Sequence, residues 1–154
     1  MTARLMRRMA AVAGIALAAL VAAPQAWCDA NVDKPPIANA DFELGQQAIQ
    51  AKDWATARYH LEIAAKDEPA NADVRNLLGY AYRNLKDYPA ALRAYREALA
   101  LDANHRGAHE YLGETYVLLG DKAKAREHLA ALERICGRSC EQYQDLAQAI
   151  AKAQ

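Results

Sequence analysis

The chain has 154 residues, and its nineteen Lys and Arg balance nineteen Asp and Glu, so the formal charge is zero. No run of Lys and Arg interrupts that balance, which removes the electrostatic footprint nucleic-acid binding needs. The length suffices for one domain with a shared hydrophobic core.

Residues 1–28 differ in character from the remainder of the chain. Arg4, Arg7 and Arg8 give a positive start, and Met9–Ala23 is an apolar run rich in Ala, Val and Leu. That run is short of the roughly twenty residues a bilayer span requires, and the pattern is that of a secretory signal peptide. Cleavage after Cys28 and cleavage after Ala30 both fit. Arg7-Arg8 has half the look of a twin-arginine signal, but its flanks favour the general route. Gln25-Ala26-Trp27 lacks the Leu and small residues that precede a lipidated cysteine, so Cys28 is read as discarded. The expectation is an exported protein, periplasmic or secreted, with no stable membrane span. Arg4, Arg7 and Arg8 leave with the signal and no acid does, so a product starting at Asp29 carries a net charge of −3. Cys136 and Cys140 then remain as an even pair in an exported protein, which favours a disulfide.

Residues 29–37 form a linker, where Pro35 and Pro36 forbid a helix. From Ala38 onward the chain repeats itself every 34 residues without a gap. Leu44-Gly45, Leu78-Gly79 and Leu112-Gly113 coincide, as do Ala57, Ala91 and Ala125, and Asp53, Asp87 and Asp121. The copies run 38–71, 72–105 and 106–139, and a fixed period of this size marks a stacked repeat array. Each copy holds two amphipathic patterns of helical length. They predict helices over Asn39–Ala51 and Trp54–Lys66, Ala72–Leu85 and Tyr88–Leu101, and Arg106–Leu119 and Lys122–Ile135. Asp53, Asp87 and Asp121 are placed to cap the second helix of each copy, and Pro89 is tolerated in a first turn. Gly45, Gly79 and Gly113 lie inside first helices, where Gly costs about 1 kcal/mol against Ala. Three such positions in one phase predict close helix crossings, with Ala57, Ala91 and Ala125 as the facing small residues. Gly107, by contrast, is expected on an open face. Residues 140–154 carry a helical stripe at Tyr143, Leu146, Ala147 and Ile150, with Ser139 and Gln142 as a capping box. Their polar face (Gln144, Asp145, Gln148, Lys152) suits a capping helix that closes one continuous core.

The repeated residues resemble the tetratricopeptide repeat: Leu-Gly, an aromatic three residues on (Tyr82, Tyr116), the small residue Ala57/Ala91/Ala125, and Pro69 at the end of the first copy. Ala48 in the aromatic slot, and Ala103 and Gly137 where Pro is usual, depart from that pattern. The resemblance implies an all-α fold: three helix hairpins plus a C-terminal capping helix, forming a short right-handed solenoid. It also implies a concave groove lined by first helices. The residues at its phases are Phe42, Gln46 and Ile49, then Asn76, Tyr80 and Arg83, then Glu110, Glu114 and Val117. Members that clamp a C-terminal carboxylate use Lys, Asn and Arg there. Phe42, Gln46, Glu110 and Glu114 replace most of these, which points to a basic or neutral segment at the acidic end.

Chemistry elsewhere is thin. Cys136 and Cys140 have three residues between them where redox motifs usually have two, so a structural staple is favoured over a thiol-redox role. His105 and His109 are four apart, a spacing known from metal sites. No third ligand accompanies them, and His60 and His128 are expected to face elsewhere. No catalytic triad order, phosphate loop or haem-attachment sequence occurs. The sequence therefore predicts a non-catalytic interaction module without a cofactor or metal, binding a protein or peptide. The rival is a small thiol-redox or metal-handling protein acting through Cys136/Cys140 or His105/His109.

Overall fold

The computed structural model describes residues 40–153; the expected signal peptide, its cleavage site and the linker lie outside the described residues. Seven helices and no strands occur among the described residues: α1 (Ala40–Gln50), α2 (Trp54–Asp67), α3 (Ala72–Asn84), α4 (Tyr88–Leu101), α5 (Arg106–Leu118), α6 (Lys122–Cys136) and α7 (Glu141–Lys152).

The hairpin turns arise from three residues in one phase. Lys52, Lys86 and Gly120 all have positive φ, at 58°, 65° and 79°. Each comes after a first helix, and the next amide reaches back five residues: Asp53 N to Ala48 O, Asp87 N to Tyr82 O and Asp121 N to Tyr116 O. This Schellman turn satisfies carbonyls the helix end would leave bare. The same aspartates then cap the next helix, accepting from Thr56 N at 3.2 Å, Ala90 N at 3.1 Å and Lys124 N at 3.1 Å. One residue thus ends one helix and begins the next, which keeps the hairpin tight. Between copies, Asn71 and His105 share a phase and cap α3 and α5.

The first helices touch one another in series, α1 on α3, α3 on α5 and α5 on α7, whereas α2, α4 and α6 make no mutual contacts. The array is therefore two layers curved toward α1, α3, α5 and α7, a short α-solenoid. Ala57, Ala91 and Ala125 are all fully buried. The glycine crossings are as tight as expected, but they meet large side chains. A Cβ on Gly45 would lie 2.6 Å from Leu61 Cγ, and one on Gly79 would lie 2.6 Å from Tyr95 Cε1.

Four expectations need correction. The nearest neighbour of Gly113 is Leu146 of α7, 2.5 Å from where its Cβ would be, and not a residue of α6. The seventh helix thus takes the place of a further inner-layer helix, because a large apolar side chain fills the glycine notch. Gly107 is not open: its Cβ would meet Asn76 Nδ2 at 3.1 Å. The capping box does not form, since α7 starts from Cys140 without a side-chain cap and Ser139 falls one residue outside. The core is two clusters, one centred on Leu61 and Val74 and one on Tyr95, Leu132 and Leu146, with Tyr82 packed against both.

Candidate peptide-binding groove

The inner layer brings six of the nine expected groove residues together. Asn76, Tyr80 and Arg83 come from α3, and Glu110, Glu114 and Val117 from α5. Phe42 and Ile49 instead pack against the first core cluster, their apolar side chains being needed there. Gln46 is exposed on α1.

The centre is aromatic. The Tyr80 ring lies 4.9 Å from the Tyr111 ring and edge-on to Trp54 at 5.7 Å. Arg83 places its guanidinium over both tyrosines, 5.0 Å from the Tyr80 centroid and 5.2 Å from that of Tyr111, within cation–π range. It also pairs with Glu114. Burial alone would lower the Arg83 pKa, but Tyr95 and the bond to Glu114 outweigh it and raise it. Trp54 and Tyr111 are not legible in the sequence as groove residues, because neither stands at a groove phase. Trp54 begins an outer helix, and Tyr111 comes one position after Glu110; only tertiary packing turns them toward Tyr80.

Below this layer lies Tyr95, fully buried with its hydroxyl unpaired. Burial raises its pKa and lifts that of Tyr111 to about 12. Both phenols stay neutral and able to donate. Glu110 is 9% exposed. Burial, and after it the charges of Glu114 and Asp145, pushes its carboxyl up to about 7.

Helix α7 supplies a wall where its polar stripe predicts a solvent face. Asp145 acts on Glu110. Ala149 and Lys152 line a cavity of about 390 Å³ with Arg83, Glu114 and Val117. The polar stripe of α7 is therefore partly groove and not only solvent face.

The histidines form no metal pair. His105 caps α5 by accepting from Ala108 N through Nδ1, at 3.1 Å. His109 Nδ1 meets His128 Nδ1 at 2.9 Å, so His128 does not face elsewhere. His109 Nε2 lies 3.1 Å from Ala103 O. A carbonyl can only accept, so His109 carries its proton on Nε2 and His128 donates from Nδ1. Both rings are neutral and committed to holding α5 on α6. Among the described residues, no group of three or more His, Cys, Asp or Glu is placed to hold a metal. No described helix is long and apolar enough to cross a membrane. Cys136 Sγ and Cys140 Sγ are 2.03 Å apart, between the end of α6 and the start of α7.

The curved double layer and its inner groove define an α-solenoid of stacked helix hairpins. Residues 72–105 match the family described as tetratricopeptide repeat. With that match, residues 72–105 are similar to a tetratricopeptide repeat, and the helices around them share its hairpin fold. It is 31% identical over 97 residues to anaphase-promoting complex subunit 3 of Schizosaccharomyces pombe, covering 63% of this chain. The chain spans only 15% of the length of that relative. The fold is similar to the TPR2B domain of yeast Sti1, solved in a complex with pHsp70, at 20% identity and a TM-score of 0.67 over 74% of this chain and 93% of that one. It is also similar to the first TPR of Spaghetti (RPAP3), solved bound to the HSP90 peptide SRMEEVD, at 17% identity and a TM-score of 0.67 over 74% and 90%.

Proposed function

We propose that the chain is a non-catalytic scaffold or assembly factor that holds an extended protein segment in the groove between α3, α5 and α7. The observation that carries this reading is the Trp54–Tyr80–Tyr111–Arg83 cluster on the inner layer. Rigid aromatics and an Arg, half-buried and fixed by one another, are the residue types that anchor binding partners. The partners named for the Sti1 and RPAP3 neighbours are a protein and a peptide, which supports the same use here. Glu110 and Glu114 stand where a carboxylate clamp would need positive charge, so this groove has no clamp for an acidic C-terminus.

The site of action is the periplasm or the exterior, supported by the charged start and apolar run of residues 1–28. The close sulfurs of Cys136 and Cys140 are a disulfide staple in that oxidising compartment. The test is to recover partners from a cell-envelope extract on the mature protein and measure the affinity of the bound segment. Tyr80→Ala and Tyr111→Ala should each weaken it by about 2 kcal/mol or more, roughly thirtyfold, while Arg126→Ala on the outer helix α6 leaves it unchanged. Equal affinities across all three would move the site off the inner layer.

A further inference from the structure

Charge on the groove floor does not balance. Three inner helices form a trough, with α5 as floor and α3 and α7 as walls. A hollow of about 290 Å³ opens beside Gly107 at one end of the α5 face, with Asp73 and Gln142 on its sides. A second, of about 390 Å³, opens beside Glu114 at the other end. Glu110 lies between them, one helical turn from each.

Two largely buried side chains beside this trough carry acceptors without a donor. Glu110 is 9% exposed and makes no hydrogen bond or ion pair among the described residues. Asn76 is 5% exposed, and its Oδ1 is unpaired. The Asn76 amide abuts Gly107, and it is Gly107 that lines the smaller hollow. The charges around Glu110 are mostly of its own sign: Glu114 on α5 and Asp145 and Glu141 on α7, against Arg83 on α3. Arg83 is already held by Glu114. A largely buried carboxylate with nothing to pair with it destabilises a fold. Arg106 and Lys152 line the two hollows without pairing with Glu110, so what the Glu110 carboxyl lacks is a cation that carries N–H donors.

We propose that the segment bound in the groove carries a basic residue, Lys or Arg, whose charged head settles on Glu110. This rests on the groove as the binding site and adds the chemistry of the occupant. The trough favours a basic side chain at this point because Arg83 is held by Glu114 and the other charges acting on Glu110 are carboxylates. Binding is also linked to pH. Glu110 must be ionised to hold the cation, and with its carboxyl pushed up to about 7 the site weakens on mild acidification.

The test uses the purified full chain and acetylated, amidated decapeptide pools, each with one central position fixed as Lys, Arg, norleucine or Glu. Affinities are read by fluorescence anisotropy at pH 8 and pH 5.5. At pH 8 the Lys and Arg pools should bind about tenfold tighter than the norleucine and Glu pools, and most of that preference should vanish at pH 5.5. Glu110→Gln keeps the shape and should abolish the preference while leaving residual binding; Glu127→Gln, on the exposed face of α6, should change nothing. Urea unfolding of Glu110→Gln checks that it folds, and its midpoint at pH 8 should be no lower than the parent's, since a strained charge has been removed. A preference that survives Glu110→Gln, or its absence from the parent, overturns the proposal. If the pools bind without charge preference but lose binding on Tyr80→Ala, the groove reading stands and only the cation is wrong. If no pool binds, or binding ignores Tyr80→Ala, both fail.

Discussion

Lys86 sits in a left-handed conformation with φ of 65°, which disfavours a side chain by roughly 1–2 kcal/mol. Gly120 occupies the equivalent turn of the third copy. Lys86→Gly should therefore raise stability, by about 0.5–1 kcal/mol once the greater freedom of Gly in the unfolded chain is subtracted. Thermal unfolding of the variant reads this directly; a lower midpoint would mean that the Lys86 side chain contributes something its geometry does not reveal. Gly79 and Gly107 separate two kinds of glycine. At Gly79 the added methyl meets a fully buried Tyr95 ring at 2.6 Å, and overpacking of this kind costs about 1–3 kcal/mol. At Gly107 it meets the end of a side chain at 3.1 Å, which can give way, and helix propensity returns about 1 kcal/mol. Gly79→Ala should lower the urea midpoint clearly while Gly107→Ala leaves it level or raises it. Equal losses would contradict the crossing geometry.

Between elements, the His109–His128 bond holds α5 to α6. Burial lowers the His109 pKa, with Arg134 and His105 adding to it. Burial, then His109 and Arg96, lowers that of His128 to about 4. Both rings are thus favoured neutral in the fold, whereas in the unfolded chain they bind protons near pH 6.5. Their contribution is fully present above that pH and is lost as the pH falls toward 4. Urea midpoints at pH 7 and pH 4.5 should drop further in the parent than in His128→Gln; parallel drops would show that the pair carries no linkage. At the α6–α7 junction, the disulfide proposed between Cys136 and Cys140 would close a very short loop. A short loop removes little chain entropy, so Cys136→Ser with Cys140→Ser should destabilise by less than the roughly 3 kcal/mol of a fifteen-residue loop. Partner binding should survive it. Loss of binding alone would revive a thiol role.

At the scale of the whole molecule, α7 is part of the solenoid. Leu146 is fully buried and Ile150 is 6% exposed, in the same cluster as Tyr95 and Leu132. A helix that merely covered an end would tolerate truncation. Here Leu146→Ala should cost about 2–5 kcal/mol, as buried Leu→Ala changes do, and match Leu132→Ala measured by the same denaturation. A much smaller loss at Leu146 would restore the picture of a loose lid.

The period of 34 residues by itself determined the first six helices, their hairpin pairing, the aspartate caps and the three glycine positions of close approach, because these depend on local pattern repeated in one phase. It could not determine what each phase faces. Phe42 and Ile49 hold groove phases yet pack on the core, Trp54 and Tyr111 hold none yet build the aromatic centre, and His128 finds His109 nineteen residues away. The reason is that a repeat makes its copies equivalent only while each has a neighbour on both sides. At the ends, and wherever two copies carry different side chains at one phase, packing between helices decides. Leu146 filling the notch at Gly113, and Glu110 left without a partner beside an Arg83 already paired to Glu114, are settled only by the tertiary structure.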